Sequence, residues 1–178
     1  MSFELQPNLN GALVHLRPLT EGDFDALFAV AADPVIWEQH PTSDRYMVDV
    51  FRGFFADAMA SRGALLALDA ITGEVMGSSR YNGYDEELRE IEIGWTFLAV
   101  KYWGGAYNGE MKHLMLRHAF RFVDRVLFLV GPSNIRSQRA VEKIGGVRRG
   151  ERTDATGRTS VVFALAADAF ATGASEPR

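Results

Sequence analysis

Two adjacent glycines mark the stretch of this 178-residue sequence that is best suited to bind an anion. Gly104 and Gly105 follow a strand-like segment and precede a helix-like segment. Glycine lets the backbone adopt a positive φ and approach a ligand closely. The amides of such a loop, where it opens into a helix, form an anion site. The pattern predicts a site for a phosphorylated cofactor, and the alternative is a tight strand–helix turn that binds nothing.

Two well-known phosphate-binding loops do not fit these residues. A nucleoside-triphosphatase loop has Lys and then Ser or Thr after its last glycine, whereas Lys101 precedes the glycines here and Ala106 follows them. A dinucleotide-binding fingerprint needs the spacing G-x-G-x-x-G. Gly104, Gly105 and Gly109 are not spaced in that way, so the phosphorylated ligand is expected to be of another kind.

The segment before the glycines alternates between apolar and polar residues, which predicts a strand over residues 89–97. One face of this strand would carry Ile91, Ile93, Trp95 and Phe97. The opposite face would carry Glu90, Glu92, Gly94 and Thr96. Because the strand leads directly into the glycine loop, its carboxylates are expected close to the ligand.

Further elements must hold this strand and loop in place, and periodicity with turn signals predicts them. Strands are predicted at residues 12–18, 64–69, 74–81, 126–130, 147–152 and 159–165, with a polar loop at residues 82–87. Helices are predicted after residues 20–23, 42–44, 104–105 and 131–134, and a short one after Ala166 leads into a Gly/Ser/Pro tail. The strand–helix–strand order around the glycines implies a parallel pair with a right-handed crossover. The predicted fold is a single α/β domain over residues 1–178, in which helices flank a mixed, mostly antiparallel sheet.

Composition excludes several classes of function. The chain is 47% hydrophobic and 24% charged with a net charge of −4, so neither nucleic acid nor an anionic membrane is an expected partner. Cysteine is absent, which excludes a disulfide scaffold and a cysteine nucleophile. The histidines do not share a face with one another, so no metal is expected. No apolar run could cross a bilayer and no signal pattern is present, so a cytoplasmic location is expected.

Two motifs resemble those of the GNAT superfamily of N-acetyltransferases. The stretch from Lys101 to Ala106 is similar to its acyl-CoA pyrophosphate loop, [Arg/Gln]-x-x-Gly-x-[Gly/Ala], with Lys in the first place. Residues 134–146 are similar to its pattern that begins Asn-x-x-[Ser/Ala] and ends with a basic residue before glycine. The resemblance covers roughly residues 12–165 and is to the branch that contains ribosomal-protein N-terminal acetyltransferases.

The resemblance implies a role in binding acetyl-CoA for each of these segments. The pyrophosphate would bind the loop amides of Lys101, Tyr102, Trp103, Gly104, Gly105, Ala106 and Tyr107, with Asn108 either capping the helix or touching the cofactor. The pantetheine arm would pair like an added strand with the backbone near Phe97, Leu98 and Val100. Asn134 would hydrogen-bond that arm, and Ser137 would lie near the thiol. Lys143 belongs to a basic run that could bind the 3′-phosphate of CoA, bind RNA or simply face solvent.

The catalytic groups are less clearly indicated, because one position departs from the family pattern. Many members have a Tyr seven residues after the Asn that protonates the leaving thiolate, and Val141 occupies that place here. Ser137 is the substitute candidate, although a serine in a first helical turn can equally bond its own backbone. An attacking lysine has a pKa of about 10.4 and an α-amine one near 8, so a base helps both. Glu92 is the candidate base with Glu90 as the alternate, and either could instead be a solvated carboxylate.

The function predicted from these features is transfer of the acetyl group of acetyl-CoA to a primary amine by direct attack. A protein N-terminal α-amine is the favoured acceptor. The alternatives are an acyl-CoA-binding sensor without transfer activity, and an acetyltransferase of a small-molecule amine such as a polyamine or an aminoglycoside. The expected partners are acetyl-CoA and the amine acceptor, and a homodimer is left open.

Overall fold

A computed structural model describes residues 2–173 as eight strands and five helices. The strands are β1 (Leu9–Asn10), β2 (Val14–Pro18), β3 (Ala64–Asp69), β4 (Val75–Asp85), β5 (Glu90–Leu98), β6 (Arg125–Val130), β7 (Val147–Thr153) and β8 (Thr159–Ala166). The helices are α1 (Phe24–Ala31), α2 (Val48–Ser61), α3 (Ala106–Ala119), α4 (Ile135–Lys143) and α5 (Ala167–Gly173). Most of the Gly/Ser/Pro tail expected after the last helix lies outside the described residues. No helix within residues 2–173 is long and apolar enough to cross a membrane.

All eight strands form one sheet in the order β1-β2-β3-β4-β5-β6-β8-β7. Every neighbouring pair is antiparallel except β5 and β6, which run parallel. The predicted fold class is therefore confirmed, including the parallel pair around the glycine loop. The short strand β1, which pairs with β2, was not among the predicted elements.

The parallel pair is short, and this creates an opening in the sheet. Pairing runs from Glu90 opposite Arg125 to Glu92 opposite Leu127 and ends there. Residues 93–98 of β5 and 128–130 of β6 continue without pairing to each other. We call the opening between these two segments the cleft. Its closed end, or apex, lies at Glu92, and β5 runs from there towards the glycine loop.

A separate hydrophobic core covers each face of the sheet. On one face, Met111 and Met115 of α3 pack with Ile91 and Ile93 of β5, and Val141 of α4 belongs to the same cluster. On the other face, helices α1 and α2 bury Leu27, Phe51, Phe54 and Phe55 against Leu66 and Phe97. Burial of a side chain of this size contributes roughly 1.5–3 kcal/mol. These two cores fix β5, the strand that borders the cleft, from both sides.

A β-bulge in β5 overturns the strict alternation predicted for this strand. Trp95 has a φ of 51°, which is rare for a residue other than glycine. Arg80 pairs with Gly94 and Ser78 pairs with Phe97, so β5 has one more residue than β4 between these pairs. As a result Phe97 joins the core of α1 and α2, whereas Ile91 and Ile93 face α3. Thr96 turns towards α3, where its hydroxyl meets Lys112.

Two predicted boundaries also needed correction. Strand β4 continues to Asp85, so the polar loop predicted at residues 82–87 is largely strand, and the turn occupies residues 86–89. Pairing with β5 holds these polar residues in the sheet, with Asn82 opposite Glu92. Helix α2 begins at Val48, later than predicted, and Arg62 ends it in the left-handed conformation before Gly63.

Candidate active site

The glycine loop leaves the N-terminus of α3 open to a ligand. Gly104 has a φ of 68°, and Gly105 precedes the helix with no side-chain cap. A Cβ placed on Gly104 would meet nothing within 4 Å, and one on Gly105 would meet only a backbone oxygen at 4.0 Å. Asn108 lies inside the first turn and is not the cap of the helix. The first amides of this helix are therefore placed as the predicted pyrophosphate site requires.

The side chains of the loop are occupied by contacts within the protein. Lys101 Nζ lies 2.6 Å from Glu74 Oε2 in an exposed ion pair. Trp103 Nε1 donates a hydrogen bond of 2.9 Å to the carbonyl oxygen of Leu98. The guanidinium of Arg136 lies 3.8 Å from the centroid of a Trp103 ring. Arg136 is in α4, so this contact joins the loop to α4.

The border of the cleft contains Phe97, Leu98 and Val100, the residues for which pairing with an extended ligand is predicted. Phe97 and Leu98 are buried and pair on one side with Ser78 and Gly77 of β4. Within the described residues no strand pairs with their other side. Val100 follows in a 3-10 turn and is 38% exposed. The free backbone edge therefore runs from the apex at Glu92 towards the start of α3.

The second motif forms the start of α4, and its asparagine has a local structural role. Asn134 is buried and caps the helix, because its Oδ1 accepts a hydrogen bond of 3.2 Å from the backbone N–H of Ser137. Val141, in the place of the expected tyrosine, is buried in the α3-side core. Lys143 is exposed and lines a groove of about 340 Å³ together with Gly109 and His113 of α3.

Glu92 lies at the apex of the cleft and has a strongly perturbed carboxyl group. Its Oε1 is 3.1 Å from the position that a Cβ on Gly94 would take, so the carboxylate lies over this glycine. Burial raises the pKa of Glu92 from 4.5 to about 7, and the nearby Arg152 and Arg80 only partly oppose this effect. Glu90 instead holds Arg125 in an ion pair of 3.2 Å. Asn82 hydrogen-bonds to the Glu92 carboxylate, and Glu92 is the candidate base that is not held in an ion pair among residues 2–173. Its pKa of about 7 suits a base near neutral pH.

A lysine on the opposite face of the sheet shows a similar shift. Lys112 of α3 is buried, and this lowers its pKa from 10.5 to about 7. Its Nζ lies 2.5 Å from Thr96 Oγ1, which in turn lies 2.8 Å from Ser79 Oγ. The amine is also 5.6 Å from the ring centroid of Phe128, on the other border of the cleft. Sequence patterns gave no sign of it, because helix periodicity does not show which lysine is enclosed.

Two buried arginines lie on the face covered by α1 and α2, and one of them, Arg80, is close enough to Glu92 to lower its pKa. Arg80 of β4 and Arg45, which precedes α2, are 5% and 9% exposed. Their guanidinium groups stack among the rings of Trp37, Phe54 and Trp95. The strand that contains Arg80 was predicted correctly, but alternation does not distinguish a buried arginine from one that faces solvent. Arg45 lies in an irregular segment and has no recognisable sequence signal.

The comparisons with known proteins agree with this geometry. A family model described as an acetyltransferase (GNAT) domain matches residues 14–147, well over half of the chain. The chain belongs to the GNAT acetyltransferase family. This match confirms the resemblance inferred from the two motifs. Enzymes of the GNAT family use acetyl-CoA. The sequence has no significant match among curated proteins.

Solved structures of other acetyltransferases share the fold of this GNAT domain. A putative acetyltransferase from T. thermophilus is 27% identical, with 97% of this chain and 94% of that one covered and a TM-score of 0.76. A probable GNAT acetyltransferase from Chromobacterium violaceum is 21% identical, with 96% and 91% covered and a TM-score of 0.84. Mycobacterium smegmatis RimJ, in complex with CoA-disulfide, is 20% identical, with 87% and 82% covered and a TM-score of 0.67.

Proposed function

We propose that this GNAT protein transfers the acetyl group of acetyl-CoA to a primary amine, and that a protein N-terminal α-amine is its preferred acceptor. The course of β5 carries this proposal. Its pairing with β6 ends at Glu92, and the strand then runs with a free edge to the uncapped start of α3. A carboxylate with a pKa near 7 therefore lies at one end of an open edge and an anion site at the other.

The residues present are suited to hold acetyl-CoA along this path. The open amides at the start of α3 would receive the pyrophosphate, and the open space above Gly104 and Gly105 leaves room for it. The backbone beyond Glu92 would pair with the pantetheine arm. Lys143, exposed on the rim of a groove shared with α3, is the candidate partner of the 3′-phosphate. The bound thioester supplies an activated acetyl group.

The chain's own groups would then manage the protons. As the amine nitrogen bonds to the thioester carbonyl carbon, Glu92 accepts the amine proton, directly or through one water molecule. A backbone amide near Leu98 would stabilise the oxyanion. When the carbon–sulfur bond breaks, the thiolate takes a proton, for which Ser137 is the proposed donor. No covalent enzyme intermediate is required.

An N-terminal α-amine suits this arrangement better than a lysine side chain. Its pKa near 8 leaves a sizeable neutral fraction at physiological pH, whereas a lysine is almost wholly protonated. Glu92, with a pKa of about 7, is a matched acceptor for such a proton. The fold similarity to RimJ and to a putative ribosomal-protein-serine acetyltransferase from Vibrio cholerae is consistent with this choice.

A charge at the start of α3 should remove cofactor binding, and this is the main test. In wild type, acetyl-CoA at 100 times its Kd should stabilise the protein by about 2.7 kcal/mol, a rise in Tm of about 5–10 °C. Gly105→Glu should abolish the rise, because a carboxylate would occupy the phosphate position. The side chain should fit, since Gly105 has a φ of −112° and open space around it. Thermal unfolding with and without acetyl-CoA measures both effects.

Gly53→Glu is the matched control, because Gly53 lies in α2 and a Cβ there would meet nothing within 4 Å. This variant should keep the full acetyl-CoA shift. An unchanged shift in Gly105→Glu would contradict the assignment of the loop. Cofactor binding without turnover of any amine would favour an acyl-CoA sensor, a second candidate that the aliphatic Val141 at the tyrosine position supports.

A further inference from the structure

An alternating stack of rings and guanidinium groups lies on the face of β5 that α1 and α2 cover, which we call the acceptor side. Arg80 lies 4.5 Å from the ring centroid of Trp95 and 5.7 Å from that of Phe54. Arg45 lies 4.6 Å from the same Phe54 ring and 5.5 Å from Trp37. We call these five side chains the arginine stack. Its order, starting from Trp95 of β5, is Trp95, Arg80, Phe54, Arg45 and Trp37.

Stacking satisfies the faces of a guanidinium group but not its N–H groups, which lie in its plane. In Arg80, both Nε and Nη2 are buried and have no hydrogen-bond partner among residues 2–173. In the same range no carboxylate lies within 4.0 Å of Arg80. A buried charged donor without a partner is costly. The fold therefore holds at least two strong donors ready for an acceptor that comes from outside the chain.

Arg45, like Arg80, has too few hydrogen-bond acceptors around its N–H groups. His40 Nδ1 accepts a hydrogen bond of 2.9 Å from the backbone N–H of Thr42, so a neutral ring carries its proton on Nε2. The ring is neutral at physiological pH, because burial lowers its pKa to about 4. Nε2 lies 3.1 Å from Arg45 Nη1, which is also a donor. Two donors therefore converge, and an oxygen that accepted from both would relieve their repulsion.

The stack adjoins the candidate base. Arg80 pairs with Gly94, and the carboxylate of Glu92 lies over that glycine, so both side chains occupy the same face of the sheet. Arg152 of β7 is close enough to lower the pKa of Glu92, and Arg158 is close enough to affect Arg45. Asp57, Asp44 and Glu92 are the acidic groups near these arginines, and among residues 2–173 none of them forms an ion pair with Arg80 or Arg45 within 4.0 Å. The balance of charge around the acceptor side of the apex is positive.

We propose that Arg80 and Arg45 form a subsite for an oxyanion on the acceptor, a carboxylate or a phosphate a few bonds from the amine that is acetylated. The in-plane donors of Arg80 suit a bidentate contact with such a group. The anion would hold the amine beside Glu92. This inference rests on the proposed function for the identity of the bound molecule, but the presence of an anion subsite can be tested without turnover.

Three pairs of amines that differ by one oxyanion test the subsite and identify its source. They are serine and serinamide, the peptide amides Ser-Glu-Ala and Ser-Gln-Ala, and O-phosphoethanolamine and ethanolamine. Values of kcat/KM are compared after division by the neutral fraction of each amine. The charged member of at least one pair should be preferred about 10-fold or more. The preferred pair distinguishes a free amino acid, an acidic peptide and a phosphate ester.

Substitutions then assign the preference to the stack. Arg80→Gln should reduce the ratio to about 1, and Arg45→Gln should lower it, while KM for acetyl-CoA stays unchanged. Arg80→Lys keeps the charge without the planar fork and should retain part of the preference. Arg52→Gln is the matched control, because Arg52 of α2 also stacks on a ring, 5.2 Å from Phe24, but is exposed. It should leave the ratio unchanged.

Calorimetry with the acetylated products of the same pairs separates this inference from the proposed function. Arg80-dependent binding of a charged product by a protein that acetylates no amine would support the subsite and overturn the transferase assignment. Wild-type turnover with no preference in any pair would overturn the subsite and leave the transferase. The subsite would also be overturned if Arg80→Gln and Arg45→Gln, both shown by circular dichroism to be folded, kept the wild-type preference for the charged member.

Discussion

Glu92 and Lys112 lie on opposite faces of β5, and burial brings the pKa of both to about 7. Their surroundings differ. Lys112 is 7% exposed and bonds to Thr96, and among residues 2–173 no carboxylate lies within 4.0 Å of its amine. Glu92 is partly exposed at the apex of the cleft, among arginines. A shifted pKa alone therefore does not indicate catalysis, and access to a substrate separates the two groups.

The two groups also affect folding with opposite signs. Between pH 4.5 and 7 the folded protein holds a proton on Glu92 that the unfolded chain has lost, so stability falls as the pH rises. Between pH 7 and 10.5 the unfolded chain holds a proton on Lys112 that the folded protein has lost, so stability rises with pH. At pH 7 the burial of each group lowers the free energy of unfolding by nearly its greatest amount. The two groups can be replaced separately.

Removal of the Glu92 carboxylate should give the largest effect. Glu92→Gln keeps the shape of the side chain but not its basicity, so kcat/KM should fall by about 10²-fold near pH 7.5. In wild type, kcat/KM should rise through pH 7 as Glu92 loses its proton, and the variant should lack this rise. The deficit should shrink at high pH, where the acceptor amine deprotonates without help. Profiles of kcat/KM against pH measure all three effects.

Glu90→Gln is the control for that measurement, because Glu90 is in the same strand but paired with Arg125. It should change kcat/KM less than about 3-fold. If Glu92→Gln kept the wild-type profile, solvent would be the base, and Glu92 would be no more catalytic than Lys112.

Removal of the Lys112 amine should change stability. Lys112→Met should stabilise the protein by about 2 kcal/mol at pH 6.5, less than the full pKa shift implies because Thr96 loses one of its two hydrogen-bond partners. The gain should shrink as the pH rises from 7 to 10.5, because the folded protein then holds Lys112 neutral, and it should vanish above pH 10.5, where the unfolded chain loses the proton too. Urea unfolding at several pH values measures the difference. The rise of kcat/KM through pH 7 should remain, because it belongs to Glu92.

Lys143→Met is the matched control for stability, since Lys143 is exposed in the last turn of α4. Its stability should stay within about 0.5 kcal/mol of wild type at each pH. A Lys112→Met protein that is less stable than wild type at pH 6.5 would show that the amine contributes more through its contacts than its burial costs. If the rise of kcat/KM through pH 7 disappeared in Lys112→Met, the group that titrates in that rise would be Lys112 and not Glu92.

The position of the Glu92 carboxylate can be tested without removing it. In Gly94→Ala the new Cβ would lie 3.1 Å from Oε1, so the carboxylate must move aside. The fold should tolerate this, because the obstacle is the end of a flexible side chain. We expect kcat/KM to fall by about 10-fold, since a small misplacement of a catalytic group lowers the rate. In Gly53→Ala, where the Cβ meets nothing, activity should be unchanged. Full activity in Gly94→Ala would show that catalysis does not require the Glu92 carboxylate in its observed position.

Local signals in the sequence were sufficient for the order of the elements and for the glycine loop. Alternation identified β5, glycines identified the start of α3, and Asn134 identified the start of α4. These features depend on neighbours along the chain, so a sequence pattern records them. The resemblance to the GNAT family rested on the same residues.

The acceptor side of the site could not be predicted in the same way. The bulge at Trp95 depends on how β4 pairs with β5, and a tryptophan gives no signal of a positive φ. The burial of Arg80 depends on rings from two other elements. The size of the shift in the pKa of Glu92 depends on its burial and on residues distant in the chain, such as Arg152. Properties that depend on contacts between residues distant in the chain produce no periodic pattern in the sequence, so they cannot be predicted from it in this way.

The smallest expected effect concerns Asn134, a buried polar group whose role could be structural, as at Lys112, or functional, as at Glu92. Asn134→Ala removes the cap of α4 and should cost about 1 kcal/mol of stability. Asn134→Ser restores a capping oxygen and should recover most of that loss, because serine caps helices about as well as asparagine. Only the asparagine amide, however, offers an N–H group beside the cleft.

The affinity for acetyl-CoA in these two variants therefore decides between the roles. If Asn134 also binds the pantetheine arm, Asn134→Ser should recover stability while its Kd for acetyl-CoA stays about 5-fold above that of wild type, the loss of one hydrogen bond. Urea unfolding measures the first quantity and calorimetry the second. Recovery of both would reduce Asn134 to a helix cap. Recovery of stability without recovery of affinity would show that the Asn134 side chain binds acetyl-CoA in addition to capping the helix.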